Sequence, residues 1–491
     1  MRLGQLLAGI DVQIEPASGV DVLDLTLDSR KVTDGTLFVA IEGSSQHGMD
    51  YADAAILSGA SAIIYDEWDG EIPEVIPALH VPGLRHKVGR IAHSFFGNPC
   101  MQMDIVGVTG TNGKTTTVHL IAQIAESLGC KAACIGTLGV SIGAEKLIES
   151  DRTTPDAITL ASIFAELRDH GVNFVAMEVS SHALDQGRVD GIPFCVGLIT
   201  NLTRDHLDYH GTMEAYGAAK KRLFQDFDLK AAVFNTDDAF CRRLWKTVPS
   251  STAITYGSGA EHIDIQLIQP TASGCDIRVS IGGISHELQL SLLGAFNASN
   301  VIAAFAAIFA LFPSDIDRAL AAIPGLRAAP GRMEWFRVPN FATVVVDYAH
   351  TPDALENVIK TCQAHCHGQV WSVFGCGGDR DVGKRPLMGR VASELSDHVV
   401  LTSDNPRSES PQNILNDIRA GMTKSPILEE PDRSRAIRFA IENAAVNDLV
   451  LLAGKGHEDT QVTGQKTFVY SDRVEVARLF GLMSSEAQHA S

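Results

Sequence analysis

The chain has 491 residues, a length that predicts about three domains. Hydrophobic residues make up 45% of it and charged residues 20%, the proportions of an ordinary globular protein. The formal net charge of −19 argues against nucleic-acid binding, so an anionic substrate would need local basic pockets. The nine cysteines are an odd number spread over a long chain, which favours a reducing compartment over a disulfide framework.

The sequence offers no segment suited to a membrane. Residues 1–10 are too short an apolar stretch, too soon followed by acidic residues, for a signal peptide. The longest apolar run, residues 301–312, has about half the length that spans a bilayer, so we predict a buried helix there. We expect a cytoplasmic protein without membrane insertion, and a monomer.

Residues 1–99 alternate short strands with helices. The pattern predicts strands at 36–41 and 62–65 and a helix at 51–59. The turn at residues 28–30 has a hydroxyl and a basic side chain, which suit a phosphate-bearing ligand but are also ordinary turn residues. Residues 97–99, Gly-Asn-Pro, predict a domain boundary.

Residues 105–117 have the pattern of a nucleoside-triphosphate loop. A short apolar strand breaks at Gly110, a glycine-rich turn leads through Gly113 to Lys114, and a helix is predicted from 118 to about 128. In such a loop the backbone N–H groups surround phosphate oxygens, Lys114 reaches the terminal phosphates and Thr115 offers a hydroxyl to Mg²⁺. The general pattern has glycine where this chain has Val108.

Polar side chains follow further apolar strands of residues 100–328. Glu178 ends one strand and could bind Mg²⁺ opposite the phosphate loop, because ligands sit at the carboxyl ends of strands in open α/β sheets. His206 lies in a charged loop beyond the next strand, where a metal-binding and a structural role are both open. The pattern gives no reason to choose Lys220 over Lys221. The asparagines of 294–300 suit helix caps or contacts to a nucleobase.

Residues 329–491 repeat the design of buried strands that end in polar residues. Asp347 and His350 follow one such strand, and the strands near 371, 399 and 448 predict a doubly wound domain with its own cleft. The cysteines and histidines at 362–367 lack a second ligand pair at zinc-finger spacing, so we predict a polar helix end there.

Six segments, taken together and in order, resemble the Mur ligase family. They are 109–116, 178–182, 200–208, 331–334, 347–352 and 454–458, and the resemblance covers essentially the whole chain. Valine at 108 is that family's own form of the phosphate loop. The resemblance implies an α/β fold of three domains: a small N-terminal α/β domain for the UDP end (1–99), a central P-loop ATPase with a mainly parallel sheet (100–328), and a C-terminal Rossmann-like domain for the amino acid (329–491).

The resemblance also implies an activity in peptidoglycan synthesis. ATP would phosphorylate the D-glutamate γ-carboxylate of UDP-N-acetylmuramoyl-L-alanyl-D-glutamate, and the amine of meso-2,6-diaminopimelate would attack the acyl-phosphate to form an amide. The nearest alternative is an L-lysine-adding ligase of the same type, and folylpolyglutamate synthetase shares the ATPase domain. The arginine at 407 and the complete N-terminal domain favour diaminopimelate. A nucleotide-regulated binding protein without ligase chemistry is a further alternative, which the family's acidic, histidine and lysine positions argue against.

By resemblance, Thr115, Glu178, His206 and Lys220 hold Mg²⁺, with Lys220 as a carbamate; Lys114, Glu178, His206 and Lys220 are the catalytic residues. The ATP contacts implied are Gly110, Thr111, Asn112, Gly113, Lys114, Thr115, Thr116, Asn297, Arg332, Asp347 and His350. Those to the UDP-sugar dipeptide are Leu27, Ser29, Ser44, Ser45, Gln46, Thr153, Thr154, Ser180, Gln186 and Arg188, where the local sequence at 43–46 departs from the family's. Those to diaminopimelate are Arg385, Asp404, Asn405, Pro406, Arg407, Gly454 and Glu458.

Overall fold

The computed structural model describes residues 1–15, 17–43, 46–150, 152–249, 252–271 and 273–482. The chain forms two compact units. The first comprises Met1–Tyr256 and Ala303–Ala319, and the second comprises Gly257–Ile302 and the chain from Leu320 onward.

The first unit begins with a small parallel sheet of four strands in the order β1-β2-β3-β4. Its elements are α1 (Leu3–Leu6), β1 (Asp24–Thr26), β2 (Thr36–Ala40), α2 (Ala52–Leu57), β3 (Ala60–Tyr65), β4 (Ala78–His80) and α3 (Val88–Phe95). Every residue of β2 is buried, as expected for an inner parallel strand. The strands predicted at 36–41 and 62–65 and the helix predicted at 51–59 are confirmed, with ends that differ by one or two residues.

The central sheet follows in the same unit. Its elements are β5 (Asp104–Thr109), α4 (Lys114–Ser127), β6 (Ala132–Gly136), β7 (Gly139–Ile142), β8 (Glu145–Ile148), α5 (Ala157–Asp169), β9 (Phe174–Glu178), α6 (Ser181–Asp185), β10 (Val196–Ile199), α7 (Leu207–His210), α8 (Met213–Gln225), β11 (Ala231–Asn235), α9 (Ala239–Trp245) and β12 (Ala253–Gly257). Strands β12-β11-β10-β5-β9-β6 are parallel, and β7 and β8 add antiparallel pairs. Because β10, β5 and β9 are neighbours, the polar residues at their carboxyl ends meet at one edge.

The second unit contains an antiparallel meander and the C-terminal sheet. Its elements are β13 (Ile263–Thr271), β14 (Gly274–Ile281), β15 (Ile284–Leu290), β16 (Glu334–Phe336), β17 (Thr343–Asp347), α12 (Pro352–His365), β18 (Val370–Phe374), α13 (Lys384–Leu395), β19 (His398–Leu401), α14 (Pro411–Ala420), β20 (Leu428–Glu429), α15 (Arg433–Asn443), β21 (Leu449–Ala453), β22 (Thr460–Thr463), β23 (Lys466–Val469) and α16 (Asp472–Leu479). Two helices, α10 (Ala295–Leu311) and α11 (Ile316–Ala322), lie between β15 and β16 in the chain, and their residues from Ala303 to Ala319 belong to the first unit. The C-terminal sheet has the order β16-β17-β21-β18-β19-β20 and is parallel except for β16.

These sheets confirm the predicted three-domain α/β class: an N-terminal parallel sheet, a central mixed sheet and a mainly parallel C-terminal sheet. The central sheet is less uniform than its strand sequences suggest, because β7 and β8 turn back on β6. Within the described ranges, no helix has both the length and the apolar content that crossing a membrane requires.

Two helices begin earlier than the sequence pattern predicts. Helix α4 starts at Lys114 rather than at 118, directly after Gly113 in a left-handed conformation. Helix α10 starts at Ala295 rather than at 301, because Gly294 accepts the first helical hydrogen bonds from Asn297 and Ala298. Asn297 therefore lies inside the helix and does not cap it.

The cysteine and histidine residues at the end of α12 are structural. The Nε2 atom of His365 accepts a hydrogen bond of 2.8 Å from the Gly294 N–H, so the Nδ1 atom carries the proton that it donates to the Thr271 carbonyl at 2.7 Å. All nine cysteines are free thiols. No cluster of three or more potential histidine, cysteine or carboxylate ligands occurs in the part of the chain that the structure describes.

Candidate functional site

The phosphate loop connects β5 to α4 at the carboxyl edge of the central sheet. Gly110 has φ = 142°, and a Cβ atom there would lie 2.0 Å from the Thr200 hydroxyl, so the loop needs glycine at this position. The Thr200 hydroxyl donates to the Asn112 carbonyl at 2.6 Å, which fixes the loop against the end of β10. This arrangement presents the N-terminus of α4, where unpaired N–H groups and the helix dipole favour phosphate.

Two lysine side chains converge beneath this loop. Lys114 Nζ donates to the carbonyls of Gly110 and Thr111, each at 2.9 Å. Lys220 Nζ donates to the same Gly110 carbonyl at 2.9 Å and lies 4.6 Å from the centre of the Tyr216 ring. Lys220 is only 1% exposed, and burial, followed by the charge of Lys114, lowers the pKa of its amine well below the ordinary value.

Glu178 is held at the end of β9 by hydroxyl and amide donors. Its Oε1 accepts from the Thr115 hydroxyl at 2.9 Å and from the Thr137 N–H at 2.8 Å, and its Oε2 accepts from the Thr137 hydroxyl at 3.2 Å. A Cβ atom at Gly136 would lie 2.2 Å from Oε1, so the small residue there makes room for the carboxylate. Thr115 and Glu178 are thus brought together as the sequence predicts. Thr137 is a missed member of the site, signalled only by its place at the end of β6.

His206 lies in a cluster of aromatic rings at the same edge. It has a left-handed backbone, φ = 51°, and its ring centre is 6.0 Å from that of Tyr216, which in turn contacts Lys220. His182 packs 4.9 Å from His206. Burial lowers the pKa of His182 to about 4, and charge repulsion from His206 and His210 adds to this effect. His182 lies within the segment 178–182, but no role for it is predicted from the sequence.

The residues predicted to contact the UDP-sugar dipeptide fall into separate groups. Thr154, Ser180, Gln186 and Arg188 form one network: Arg188 Nη1 donates to the Thr154 carbonyl at 2.9 Å, its Nη2 donates to Gln186 Oε1 at 2.5 Å, and the Ser180 N–H donates to the Thr154 hydroxyl at 3.1 Å. The Thr154 hydroxyl donates to the Glu178 carbonyl at 2.9 Å, which joins this network to the end of β9.

The remaining predicted contacts are outside this network. The hydroxyl of Thr153 is 3.1 Å from that of Thr137. Leu27 and Ser29 follow β1 in the N-terminal domain, where Ser29 begins a 3₁₀ turn capped by Asp28. The side chain of Gln46 accepts a hydrogen bond from Tyr51. Ser44 and Ser45 lie outside the described residues.

In the second unit, Asp347 and its neighbours form a polar group at the end of β17. Asp347 accepts from the N–H groups of Met333 and Ala349, both at 2.8 Å, and burial raises the pKa of its carboxyl while Arg332 opposes that rise. The guanidinium of Arg332 lies 4.6 Å from the centre of the Tyr348 ring, and the centre of the His350 ring lies 4.7 Å from that of the Tyr348 ring. Arg332 Nε is buried without a hydrogen-bond partner among the described residues, a feature of a side chain that is suited to an incoming ligand.

Asn297 lies apart from this group along the chain. It is buried in the first turns of α10, and its side-chain amide donates to the Leu293 carbonyl at 2.8 Å. The predicted nucleotide contact at Asn297 therefore stays a prediction from sequence.

The loops after β19 and β21 bring the predicted amino-acid contacts together. Asn405 Nδ2 donates to Glu458 Oε2 at 2.8 Å, and a Cβ atom at Gly454 would lie 2.8 Å from Asp404 Oδ2, so the two loops are in close contact. Burial raises the pKa of Asp404, while the nearby positive charges of Arg433 and Lys455 oppose the rise.

Lys455 crosslinks these two loops, a role that is not predicted from the sequence. Its buried ammonium donates to Asn405 Oδ1 and Glu458 Oε2, both at 3.2 Å, and to the Thr460 carbonyl at 2.7 Å. The sequence contains a signal for it, because Lys455 lies between Gly454 and Glu458, two predicted contacts of diaminopimelate.

The guanidinium groups of Arg407 and Arg385 have different hydrogen-bond partners. Arg407 has φ = 52°, and its Nη1 donates to the Gly378 carbonyl at 2.9 Å. Arg385 is 1% exposed and pairs with Glu409 through both Nη atoms, at 2.8 and 2.9 Å, and with Asp417 at 2.9 Å. The structure thus gives Arg385 two internal carboxylate partners.

Three family models match successive parts of the chain. Residues 23–93 match the family model described as "Mur ligase family, catalytic domain", residues 108–308 match "Mur ligase middle domain", and residues 331–456 match "Mur ligase, glutamate ligase domain".

Two curated proteins are similar over nearly their whole length. Both are named UDP-N-acetylmuramoyl-L-alanyl-D-glutamate–2,6-diaminopimelate ligase. The one from Alkalilimnicola ehrlichii is 43% identical, covering 98% of this chain and 99% of that protein. The one from Coxiella burnetii is 42% identical, covering 92% and 94%. A solved structure of a ligase with the same name is 36% identical, with a TM-score of 0.72 and full coverage of both chains.

Proposed function

The chain belongs to the Mur ligase family, and we infer from this that it is an ATP-dependent ligase that adds meso-2,6-diaminopimelate to UDP-N-acetylmuramoyl-L-alanyl-D-glutamate. The observation that carries this function is the identity of 42–43% to diaminopimelate-adding enzymes over more than nine-tenths of the chain. The reaction forms an amide in peptidoglycan synthesis.

The first chemical step needs a positive environment. A γ-carboxylate oxygen attacks the terminal phosphorus of ATP, and the bond to the ADP oxygen breaks. Lys114, the loop 110–116 and the N-terminus of α4 hold the phosphate oxygens and offset the charge that builds on them. Arg332, Asp347 and His350 are the proposed nucleotide contacts of the second unit, supported by their grouping around Tyr348.

Thr115, Glu178, His206 and a carbamylated Lys220 are the proposed Mg²⁺ ligands. Their donor set of hydroxyl, carboxylate and carbamate oxygens with one imidazole nitrogen fits a hard cation. The hydrogen bond of 2.9 Å between Thr115 and Glu178 supports this set, because it joins two of the donors. When bound, Mg²⁺ neutralises charge on the phosphate oxygens.

Carbamylation of Lys220 is supported by the position of its amine. A buried ammonium beside Lys114 is costly, whereas a carbamate at the same place carries a negative charge that offsets Lys114. The neutral amine that burial favours is also the form that reacts with CO₂.

The second step joins the amino acid to the activated carboxyl. The neutral amine of diaminopimelate attacks the acyl carbon, the tetrahedral intermediate expels phosphate, and the amine loses its proton. The proposed contacts of diaminopimelate are Asp404, Asn405, Pro406, Arg407, Gly454, Glu458 and Arg385. Arg407 is the proposed selector, because a guanidinium pairs with the extra carboxylate that lysine lacks.

For the UDP-sugar dipeptide we propose contacts from Leu27, Ser29, Gln46, Thr153, Thr154, Ser180, Gln186 and Arg188. The network of Thr154, Ser180, Gln186 and Arg188 supports the last four of these contacts, because its link to the end of β9 would bring the carboxyl end of the substrate beside Glu178.

A phosphate-release assay with purified protein, ATP, Mg²⁺ and UDP-N-acetylmuramoyl-L-alanyl-D-glutamate tests the function. We expect rapid release with meso-diaminopimelate and little with L-lysine. Equal turnover with lysine would contradict the diaminopimelate assignment, and ATP binding without phosphate release would contradict a ligase.

We further propose that the enzyme acts as a monomer in the cytoplasm, where its nucleotide substrates are made. Light scattering coupled to gel filtration would then give one species near the chain mass of 52.6 kDa. A mass twice as large would contradict the monomer.

A further inference from the structure

Arg433 and Asp472 form a fully buried ion pair in the C-terminal domain. Arg433 is the first residue of α15 and Asp472 the first of α16. Two parallel hydrogen bonds join them, Nε to Oδ1 at 2.7 Å and Nη2 to Oδ2 at 2.6 Å, and both side chains are 0% exposed. This is the bidentate geometry of a strong arginine–carboxylate pair.

The same guanidinium also holds the backbone at two strand ends. Arg433 Nη1 donates to the Ser403 carbonyl at 3.2 Å, and Nη2 donates to the Ala453 carbonyl at 3.0 Å. Ser403 directly precedes Asp404, and Ala453 directly precedes Gly454. Because β18 separates β19 from β21 in the sheet, Arg433 spans a strand to tie together the two loops that carry the proposed amino-acid contacts.

The charge of Arg433 also acts on Asp404. Among the nearby charges, that of Arg433 contributes most to opposing the rise that burial causes in the pKa of Asp404. Asp472 in turn fixes the orientation of the guanidinium, because it accepts from two of its three nitrogen atoms. Arg433 thus influences both the position of the loops and the charge of one of their side chains.

Stability alone does not explain such a pair. A buried ion pair costs desolvation, and its replacement by apolar side chains of similar volume is often neutral or stabilising. We propose that Arg433, oriented by Asp472, is a positioning residue that sets the spacing of the loops at Asp404–Arg407 and Gly454–Glu458 and thereby the affinity for diaminopimelate. This inference rests on the proposed function.

The decisive test replaces the pair by apolar residues, Arg433→Met with Asp472→Leu, in the full-length enzyme. We expect the melting temperature to stay close to that of the unmodified protein while the KM for diaminopimelate rises about tenfold or more, since displacement of a contact by about 1 Å can cost on the order of a hundredfold. The KM for the UDP-sugar dipeptide should change less than about twofold, the scatter of a distant substitution. The KM for ATP should rise less than that for diaminopimelate, because the displaced loop reaches the nucleotide group only through the contact of Gly456 with Tyr348.

Two further variants keep the test decisive. Arg433→Lys retains the charge but loses the fork, so it should raise the KM for diaminopimelate by an intermediate factor even if the double variant does not fold. Arg419→Met with Glu429→Leu removes a more exposed pair of the same domain, 3.1 Å apart, and should leave all three KM values unchanged.

An unchanged KM for diaminopimelate in a folded double variant would overturn the proposal, and so would an equal rise in all three KM values in Arg433→Lys. The unmodified enzyme in the same assay separates this result from the proposed function: if it does not use diaminopimelate, the function itself fails, whatever the variants do.

Discussion

At the scale of single residues, the environment of Lys220 argues for chemical modification. Its amine and that of Lys114 donate to one carbonyl oxygen, that of Gly110. Two ammonium groups that share one acceptor repel each other, and burial strengthens the repulsion because little solvent screens it. A carbamate at Lys220 removes the repulsion and supplies oxygen ligands.

Removal of CO₂ should therefore inactivate the enzyme reversibly. We expect activity to fall by about a hundredfold or more in CO₂-free buffer, the usual cost of losing one preorganised charged group, and to return on addition of bicarbonate. Lys220→Arg should be as inactive and should not respond to bicarbonate, whereas Lys221→Arg should behave like the unmodified protein. An intact mass that shows a plain amine in fully active enzyme would refute the carbamate.

Arg407 should decide the choice of amino acid. Substitution by Lys, which cannot form two parallel hydrogen bonds, should cost about 2–3 kcal/mol of diaminopimelate binding, roughly a 30- to 150-fold rise in KM. The KM for ATP should stay within about twofold, because Arg407 donates to Gly378 and Val462, whereas the proposed nucleotide contacts surround Tyr348. Arg419→Lys is the matched control. An ATP KM that rises in parallel would show that Arg407 acts on folding of the domain.

Some residues of the site could be predicted from sequence and others could not. Lys114, Thr115 and Glu178 follow strands in recognisable patterns, and the structure brings them to one edge of the central sheet. Lys220 and Lys221 are equivalent in the pattern, and only the fold shows that Lys220 is buried while Lys221 is partly exposed. Arg433 could not be found, because its partners Ser403, Ala453 and Asp472 are 20 to 39 residues away along the chain.

At the scale of elements, the backbone of the phosphate loop depends on glycine. Gly110 combines φ = 142° with the close approach of Thr200, so Gly110→Ala introduces both strain and a clash. We expect it to lower the affinity for ATP at least about tenfold and to cost about 1–3 kcal/mol of stability.

Gly129→Ala is the matched control for that prediction. Gly129 follows α4 at its other end with φ = 97°, and a Cβ atom there would have no neighbour within 4 Å. It should cost about 1 kcal/mol of stability and leave ATP binding unchanged. Calorimetric titration with an ATP analogue measures the affinities, and equal affinity of both variants would contradict a role for the Gly110 backbone.

The ends of helices were the least predictable elements. The sequence pattern placed the start of α4 after its run of threonines, since β-branched residues disfavour helix. The fold begins the helix at Lys114 because Gly113 supplies the left-handed turn that directs the chain into it. The deciding residue directly precedes the helix, so this boundary depends on local backbone conformation.

At the scale of the whole molecule, the stability of the protein should decrease on mild acidification. His93 is 4% exposed and packs against Cys100 and Phe164, and burial lowers its pKa from 6.5 to about 4. Between these values the unfolded chain binds a proton that the folded chain does not. Stability is therefore lost as the pH falls through this window, by about 3 kcal/mol for His93.

His93→Phe should flatten that part of the stability profile. Urea unfolding between pH 7 and 4 measures it, and His170→Phe, at an exposed position of the same unit, is the control that should keep the unmodified slope. His182 has a lowered pKa as well, so a smaller slope should remain in the His93 variant. Parallel profiles for the unmodified protein and His93→Phe would contradict the prediction.

The family and the fold class were predictable at this scale and are confirmed, because six motifs in a fixed order identify a whole chain more reliably than one motif does. The arrangement of antiparallel β7 and β8 within the central sheet was not predictable, since an isolated strand pattern does not specify the direction of its neighbour.

The left-handed backbone of Arg407 limits how this enzyme could be redesigned. The hairpin of β22 and β23 fixes that conformation, because the Arg407 N–H donates to the Val462 carbonyl at 3.0 Å and the Gly464 N–H donates to the Arg407 carbonyl at 2.6 Å. A library that aims at lysine should therefore sample asparagine and glycine at position 407 first, since these residues tolerate a left-handed backbone. β-Branched residues at 407 would confound a change of specificity with backbone strain, so a failed valine variant would say little about the pocket.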